Sequence, residues 1–241
     1  SIMTNSESIF QFGNNAYGKP CTALNILRET VMGPELFDYA FKIYANRWKF
    51  KHPSPADFFR TMEDASSVDL DWYWNGWFYT TDHCDIAITG VYQLKVDNQR
   101  PADGTTKKSN QKNIKKLAKH NKVNPMLQAV KSAENPAKAF DKIKSNLTDI
   151  RKEILDKEVY LCQVDLKMIG GLVMPVILKL EYQDGSSEEV RIPAEIWKMQ
   201  NELLENSVSK VLVTNKSVKK VVLDPNLETA DTDVSNNAWP R

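Results

Sequence analysis

Histidine is scarce in this chain, and the placement of the three present excludes more than their number does. His52, His83 and His120 stand too far apart for any two to form the i, i+4 pair of an H-E-x-x-H helix, so the chain carries no such zinc motif. Cysteine is equally sparse. Cys21, Cys84 and Cys162 are odd in number and widely separated, which excludes a C-x-x-C metal or redox site and a disulfide framework. They read as buried small apolar thiols. Charge of one sign is also missing: 32 basic against 31 acidic residues leave a net +1, so global electrostatics give a nucleic-acid partner no support. No apolar run approaches the ~20 residues that a bilayer span needs. The longest, Gly170 to Leu178, is short and interrupted by Pro175, so no membrane span is expected. Ser1-Ile-Met-Thr lacks the basic start and apolar core of a signal peptide. Internal repeats are absent too.

What is present is an ordinary globular composition, 41% hydrophobic and 26% charged, in a length that allows one large domain or two small ones. Residues 20–79 read as helical. Pro20 suits a first turn, and Ala23, Leu24, Leu27 and Val31 then recur at helical spacing. Gly33-Pro34 ends that helix and opens another, with Leu36, Phe37, Ala40, Phe41 and Tyr44 as its stripe, up to about Trp48. After the loop at His52-Pro53, Ser54 caps a third helix that carries Pro55 and Asp57 in its first turn. Leu70 to Tyr79 is the densest aromatic stretch, and at helical spacing it reads as core rather than as a stacking surface.

Period-two alternation then takes over. Ile86, Ile88, Val91, Leu94 and Val96 mark a strand within 84–97. Residues 98–157 form a Lys- and Asn-rich segment read as inserted helices, whose basic cluster, Lys107 to Lys122, has no interleaved aromatics and reads as a solvated face. From 158 onward the pattern is β. It runs through Val159 to Leu166, Val176 to Tyr182, a turn at Gln183-Asp-Gly-Ser186, a return strand at Glu189 to Ile192, then Ser209 to Val213 and Val218 to Leu223. That spacing suits a β-sandwich module.

No constellation of these residues makes an enzyme by itself. Glu63, Asp64, Asp69 and Asp71 cluster at helix ends, where carboxylates serve as caps and solvated charges. Asp231-Thr-Asp233-Val-Ser235-Asn236 echoes a calcium loop but lacks the glycine and distal glutamate of an EF-hand.

Two ordered sets of residues resemble a known family. Ala16-Tyr17-Gly-Lys19 is followed by Leu24, Leu27, Gly33, Phe37, Tyr44, Asp57-Phe58, Met62-Glu63, Leu70 and Trp74-x-x-Trp77. This set resembles the aminopeptidase N family, gluzincin aminopeptidases with a thermolysin-like catalytic domain. Gly170-Gly-Leu-Val-Met-Pro175, Tyr182-x-Asp-Gly185, Pro193-Ala-Glu-Ile-Trp197, Leu223-Asp-Pro225 and Asp231-x-Asp233-x-x-Asn-Asn237 resemble the β-sandwich module of bacterial, Bacteroidetes-type members. Together the two sets cover well over half of the 241 residues; the segment 98–157 matches neither.

The resemblance implies an α+β multidomain protein. Residues 1–83 would be the helical end of the catalytic domain, 84–97 a joining strand, 98–157 a helical insert, 158–225 the β-sandwich and 226–241 a C-terminal tail. The activity implied is peptide hydrolysis by a longer parent, exported or periplasmic. In the family two histidines and a glutamate hold zinc upstream of the Tyr-x-Lys element, so the zinc ligands would lie outside this chain, on the upstream part of its own polypeptide, and the chain alone would hold no cofactor and be inactive. One residue carries over. Tyr17 matches the tyrosine that donates its hydroxyl to the oxyanion as water adds to the scissile carbonyl, a role that suits a phenol of pKa near ~10. Pro20 departs from the family, which often has glycine after the lysine. The competing reading is a non-catalytic scaffold or binding module of an inactive relative.

Overall fold

The structure, a computed structural model, describes residues 1–95, 141–142, 145–146, 148–149, 159–199 and 206–240. But for those six isolated positions, the expected insert at 98–157, with its basic cluster and His120, lies outside the described residues.

The first third of the chain is helical, and its boundaries follow from local chemistry. Helix α1 (Lys19–Ile26) has Pro20 in its first turn and is flanked by π-helical turns at Asn14–Gly18 and Leu27–Met32. The helical path therefore begins before Pro20, further upstream than the proline alone suggests. Gly33, at φ 83°, stops it, and Pro34 opens α2 (Pro34–Trp48). That φ is one that a side chain strains to adopt, which is why glycine sits there. Helix α3 (Pro55–Ser66) starts in a reciprocal capping box. The Asp57 amide donates to the Ser54 hydroxyl, and the Ser54 amide donates to the Asp57 carboxylate at 2.8 Å. Those bonds hold the Asp57 carboxyl below its ordinary range. Helix α4 (Asp71–Trp74) runs into a π-helical turn at Asn75–Tyr79. Tyr73, Trp74, Trp77 and Phe78 are buried, as a core aromatic stripe should be, while Tyr79 is half exposed.

Among the described residues seven strands build two antiparallel sheets: β1 (Ile86–Lys95), β2 (Tyr160–Met168), β3 (Val176–Tyr182), β4 (Ser187–Ile192), β5 (Ser207–Thr214), β6 (Val218–Leu223) and β7 (Ala238–Trp239). The first sheet has the order β1-β2-β5 and the second β4-β3-β6-β7. The strand read as joining to the β module pairs along its length with β2, Val91 opposite Val164 and Leu94 opposite Leu161. The stretch expected as a tail returns to supply β7 on the edge of β6. A two-residue strand is too short to leave a period-two signal.

The arrangement is a mixed α+β one with a shared core. Ala23, Met62, Tyr73 and Trp77 from the helices belong to the same buried cluster as Val164, Leu166, Leu178 and Val221 from the sheets. Gln93 on β1 stitches the sheets together. Its amide donates to the Ser217 hydroxyl at 2.8 Å, and its carbonyl accepts from the Val218 amide at 2.6 Å. No helix among the described residues is long and apolar enough to cross a membrane.

Candidate functional site

Tyr17 lies in the π-helical turn just ahead of α1, 68% exposed and with its ring packed edge-on against Phe12 at 6.0 Å. Its hydroxyl makes no hydrogen bond among the described residues. The backbone beneath it is held from a distance. Two residues on, Lys19 donates its ammonium to the Thr80 carbonyl at 3.3 Å. Burial pulls the Lys19 pKa down, and the Asp82 carboxylate opposes that shift. One turn further, the buried Tyr73 hydroxyl donates to the Ala23 carbonyl at 2.6 Å, and burial drives that phenol well above its ordinary value. An exposed donor thus stands on a helix tied to residues sixty positions downstream.

The remaining candidates occupy structural positions. His52 and His83 are exposed and separate. Among the described residues no three His, Cys, Asp or Glu side chains gather as a metal-holding group, so the described residues themselves offer no zinc site. Cys84 and Cys162 are buried, and burial pushes their thiols up to about 12 and about 11. Cys21 differs from expectation and is exposed, because it falls on the outer face of α1.

Glu63 accepts the Leu70 amide at 2.9 Å, closing the loop after α3. Burial first, then that bond opposing, then the charges of Asp71 and Asp69, leave its carboxyl raised. Asp69 accepts from the Asp71 amide, and Asp64 lies 3.6 Å from Arg47 at the surface. The calcium-like segment ties the end of the chain to the start of β1. Asp231 accepts from the Ile86 and Asp233 amides, Asp233 caps a short 3-10 turn through Ser235, and Asn236 donates to Asp85 at 3.0 Å.

Sequence reading misses a cavity of about 280 Å³ where helices and sheets meet. Val31, Val68 and Trp72 line it from the helical side, and Pro175, Ile177 and Ile192 from the sheet side. Asp69, Glu195 and Arg191 are its charged lining. Arg191 is paired with two carboxylates. It pairs with both Glu228 oxygens at 2.9 Å and with Glu189 at 2.8 Å, and its proximity holds the Glu228 carboxyl below the usual range. Neither Asp69 nor Glu195 forms an ion pair among the described residues. Glu195 sits in a 3-10 turn (Ala194–Met199) fixed by the buried Trp197 indole, which donates to the Met174 carbonyl at 2.8 Å. The lining residues come from four separate stretches of chain, so no spacing in the sequence announces them.

No known protein family's profile matches the chain, and no curated protein matches it. Among solved structures it is similar to the crystal structure of Legionella pneumophila aminopeptidase A in complex with aspartic acid, at 11% identity and a TM-score of 0.49. The similarity covers 90% of this chain but 17% of that one, so this chain spans about a sixth of that protein's length. At that score and identity the likeness carries no argument about what the chain does.

Proposed function

We propose that this chain is the C-terminal part of a zinc-dependent aminopeptidase N-type peptide hydrolase, with Tyr17 as the donor that stabilises the oxyanion. In this reading the helices complete a thermolysin-like catalytic domain and the two sheets form the β-sandwich module that follows it. The zinc ligands belong to the upstream part of the same polypeptide, and the peptide substrate meets Tyr17 only there. The reading rests on the ordered residues from Ala16 to Trp77 and from Gly170 to Asn237. The single observation that favours it is the state of Tyr17, a 68% exposed phenol whose hydroxyl has no partner among the described residues. A tyrosine retained only for packing buries its ring and satisfies its O–H, as Tyr73 does. Tyr17 does neither.

The role follows from elementary chemistry. A phenol hydroxyl can donate one hydrogen bond to a developing negative charge. Because that charge exists only as the carbonyl is attacked, the bond strengthens the transition state over the bound substrate.

Tyr17→Phe in the zinc-loaded full polypeptide is the test. The expected result is a kcat lower by on the order of 10²–10³ with little change in KM or melting temperature. Near wild-type turnover would remove Tyr17 from the chemistry and leave the scaffold reading.

A further inference from the structure

The cavity between the helices and the second sheet has no part in the Tyr17 reading, and its lining is specific enough to state what it would take. Its wall is mostly apolar, and Trp72 gives it an aromatic surface. Among the described lining residues its one cationic group, Arg191, is already paired with two carboxylates, Glu228 and Glu189. Its two carboxylates, Asp69 and Glu195, come from opposite walls and lack counter-charges among the described residues. An apolar recess with an indole and two uncompensated carboxylates at its edge complements an apolar group that carries a positive charge beside it. We propose that this cavity is a docking pocket for a basic–apolar peptide segment of a partner polypeptide, taking one aliphatic side chain while a neighbouring Lys or Arg meets Trp72, Asp69 and Glu195.

Size supports one anchor rather than an extended ligand. About 280 Å³ lies just under the range of drug-sized ligand sites and suits a single buried side chain with a charged neighbour left at the mouth. Buried anchors of this kind carry most of the energy in peptide recognition. Both carboxylates are exposed, so each contributes only modestly and in a salt-dependent way.

The test uses the ¹⁵N-labelled chain and three blocked dipeptides: acetyl-Leu-Arg-amide, acetyl-Leu-Gln-amide and acetyl-Leu-Glu-amide. The Trp72 indole N–H resonance, identified by its loss in Trp72→Phe, is followed during each titration. The Leu-Arg peptide should shift it saturably, the Leu-Gln peptide more weakly and the Leu-Glu peptide not at all. Asp69→Asn combined with Glu195→Gln should weaken the Leu-Arg peptide roughly three- to tenfold and abolish the advantage of Arg over Gln. Asp69 also holds the Asp71 amide, so Glu195→Gln alone, on the opposite wall, gives the same reading without touching that turn. Three outcomes each overturn the proposal: an unmoved Trp72 resonance, equal shifts from the Arg and Glu peptides, or unchanged affinity in the charge variants while the amide spectrum stays dispersed.

Discussion

Replacing Gly170 with alanine should be the most damaging single-methyl change available in this chain. Gly170 sits just after β2, where the backbone crosses the segment leading into β1. The Ile169 and Gly170 amides both donate to the Asp85 carbonyl, at 2.8 and 3.1 Å, and the Leu172 amide donates to the His83 carbonyl at 3.1 Å. A Cβ at position 170 would land well inside van der Waals contact distance of the His83 carbonyl oxygen, with the Asp85 amide nitrogen 2.9 Å away. These obstacles are backbone atoms, so no rotamer change relieves them. The two strands of chain must separate. Overpacking of this kind costs about 1–3 kcal/mol, and opening one or two of the three hydrogen bonds adds about 1 kcal/mol each. The expected loss is therefore about 2–5 kcal/mol, a large share of the total stability of a domain. With a urea m-value of about 2–3 kcal/mol/M, the unfolding midpoint should fall by roughly 0.7–2.5 M.

Two neighbouring controls separate this mechanism from a general intolerance of substitution. At Gly171 an added Cβ meets only the carboxylate of Asp82, an exposed side chain that can swing away. Gly171→Ala should therefore cost about 1 kcal/mol or less. At Gly13 a Cβ meets nothing within 4 Å and the backbone is helical, φ −58°, so Gly13→Ala should be neutral or stabilising by up to about 1 kcal/mol. Urea unfolding of all three, with the m-value checked for constancy, gives the ranking. A Gly170→Ala midpoint within about 0.3 M of wild type, or a Gly171→Ala loss larger than that of Gly170→Ala, would refute the reasoning.

Tyr73→Phe removes the buried hydroxyl that donates to Ala23. Because that carbonyl keeps its helical partner, the Leu27 amide, the loss should be about 1–2 kcal/mol, read as a melting temperature lower by about 2–8 °C. Glu63 gives a pH dependence of definite sign. Its carboxyl is raised, chiefly by burial, so protonation favours the folded state. The stabilisation is fully present below the ordinary carboxylate pKa and is lost as pH rises through the raised one. Glu63→Gln keeps the acceptor for Leu70 without the titration, so its stability relative to wild type should improve from pH 4 to pH 7. A relative decline over that range, in paired urea midpoints, would contradict the assignment.

Elements whose cause is local were legible in the sequence. Gly33-Pro34, Ser54 with Asp57, and Gln183 to Ser186 each act within four residues, and each produces the stop, cap or turn it announces. The strands Val176–Tyr182 and Val218–Leu223 were legible for the same reason, because both are flanked by turns. What stayed hidden depends on contacts distant in sequence. β7 pairs with β6 across the whole 224–237 connection, and Asp231 bonds to Ile86 from 145 residues away. The exposure of Cys21 depends on which side of α1 meets α4, and composition does not carry that. Tyr17 is a candidate only through resemblance, since a lone tyrosine before a helix signals nothing. The cavity around Trp72 was not legible at all.

The close approach at Gly170 also bears on what holds Tyr17. An exposed ring is only as well placed as the backbone beneath it, and that backbone has no support of its own: the turn at Asn14–Gly18 buries no residue. Its anchors are Lys19 on the Thr80 carbonyl and Tyr73 on the Ala23 carbonyl. Tyr73 lies on α4, and Thr80 follows directly after its π-helical extension. That segment rests in turn on the loop after β2, because Gly76 leaves room for the Leu172 side chain, which sits where a Cβ at 76 would fall. Leu172 is held there by its amide bond to His83, the same junction that Gly170 permits. The sheets therefore fix the helix that presents Tyr17, through a path of four contacts, none of which touches Tyr17 itself. The double glycine thus does more than break a strand. It lets two backbones touch, and through that contact the β part of the chain holds the exposed phenol at a defined place on the helical surface.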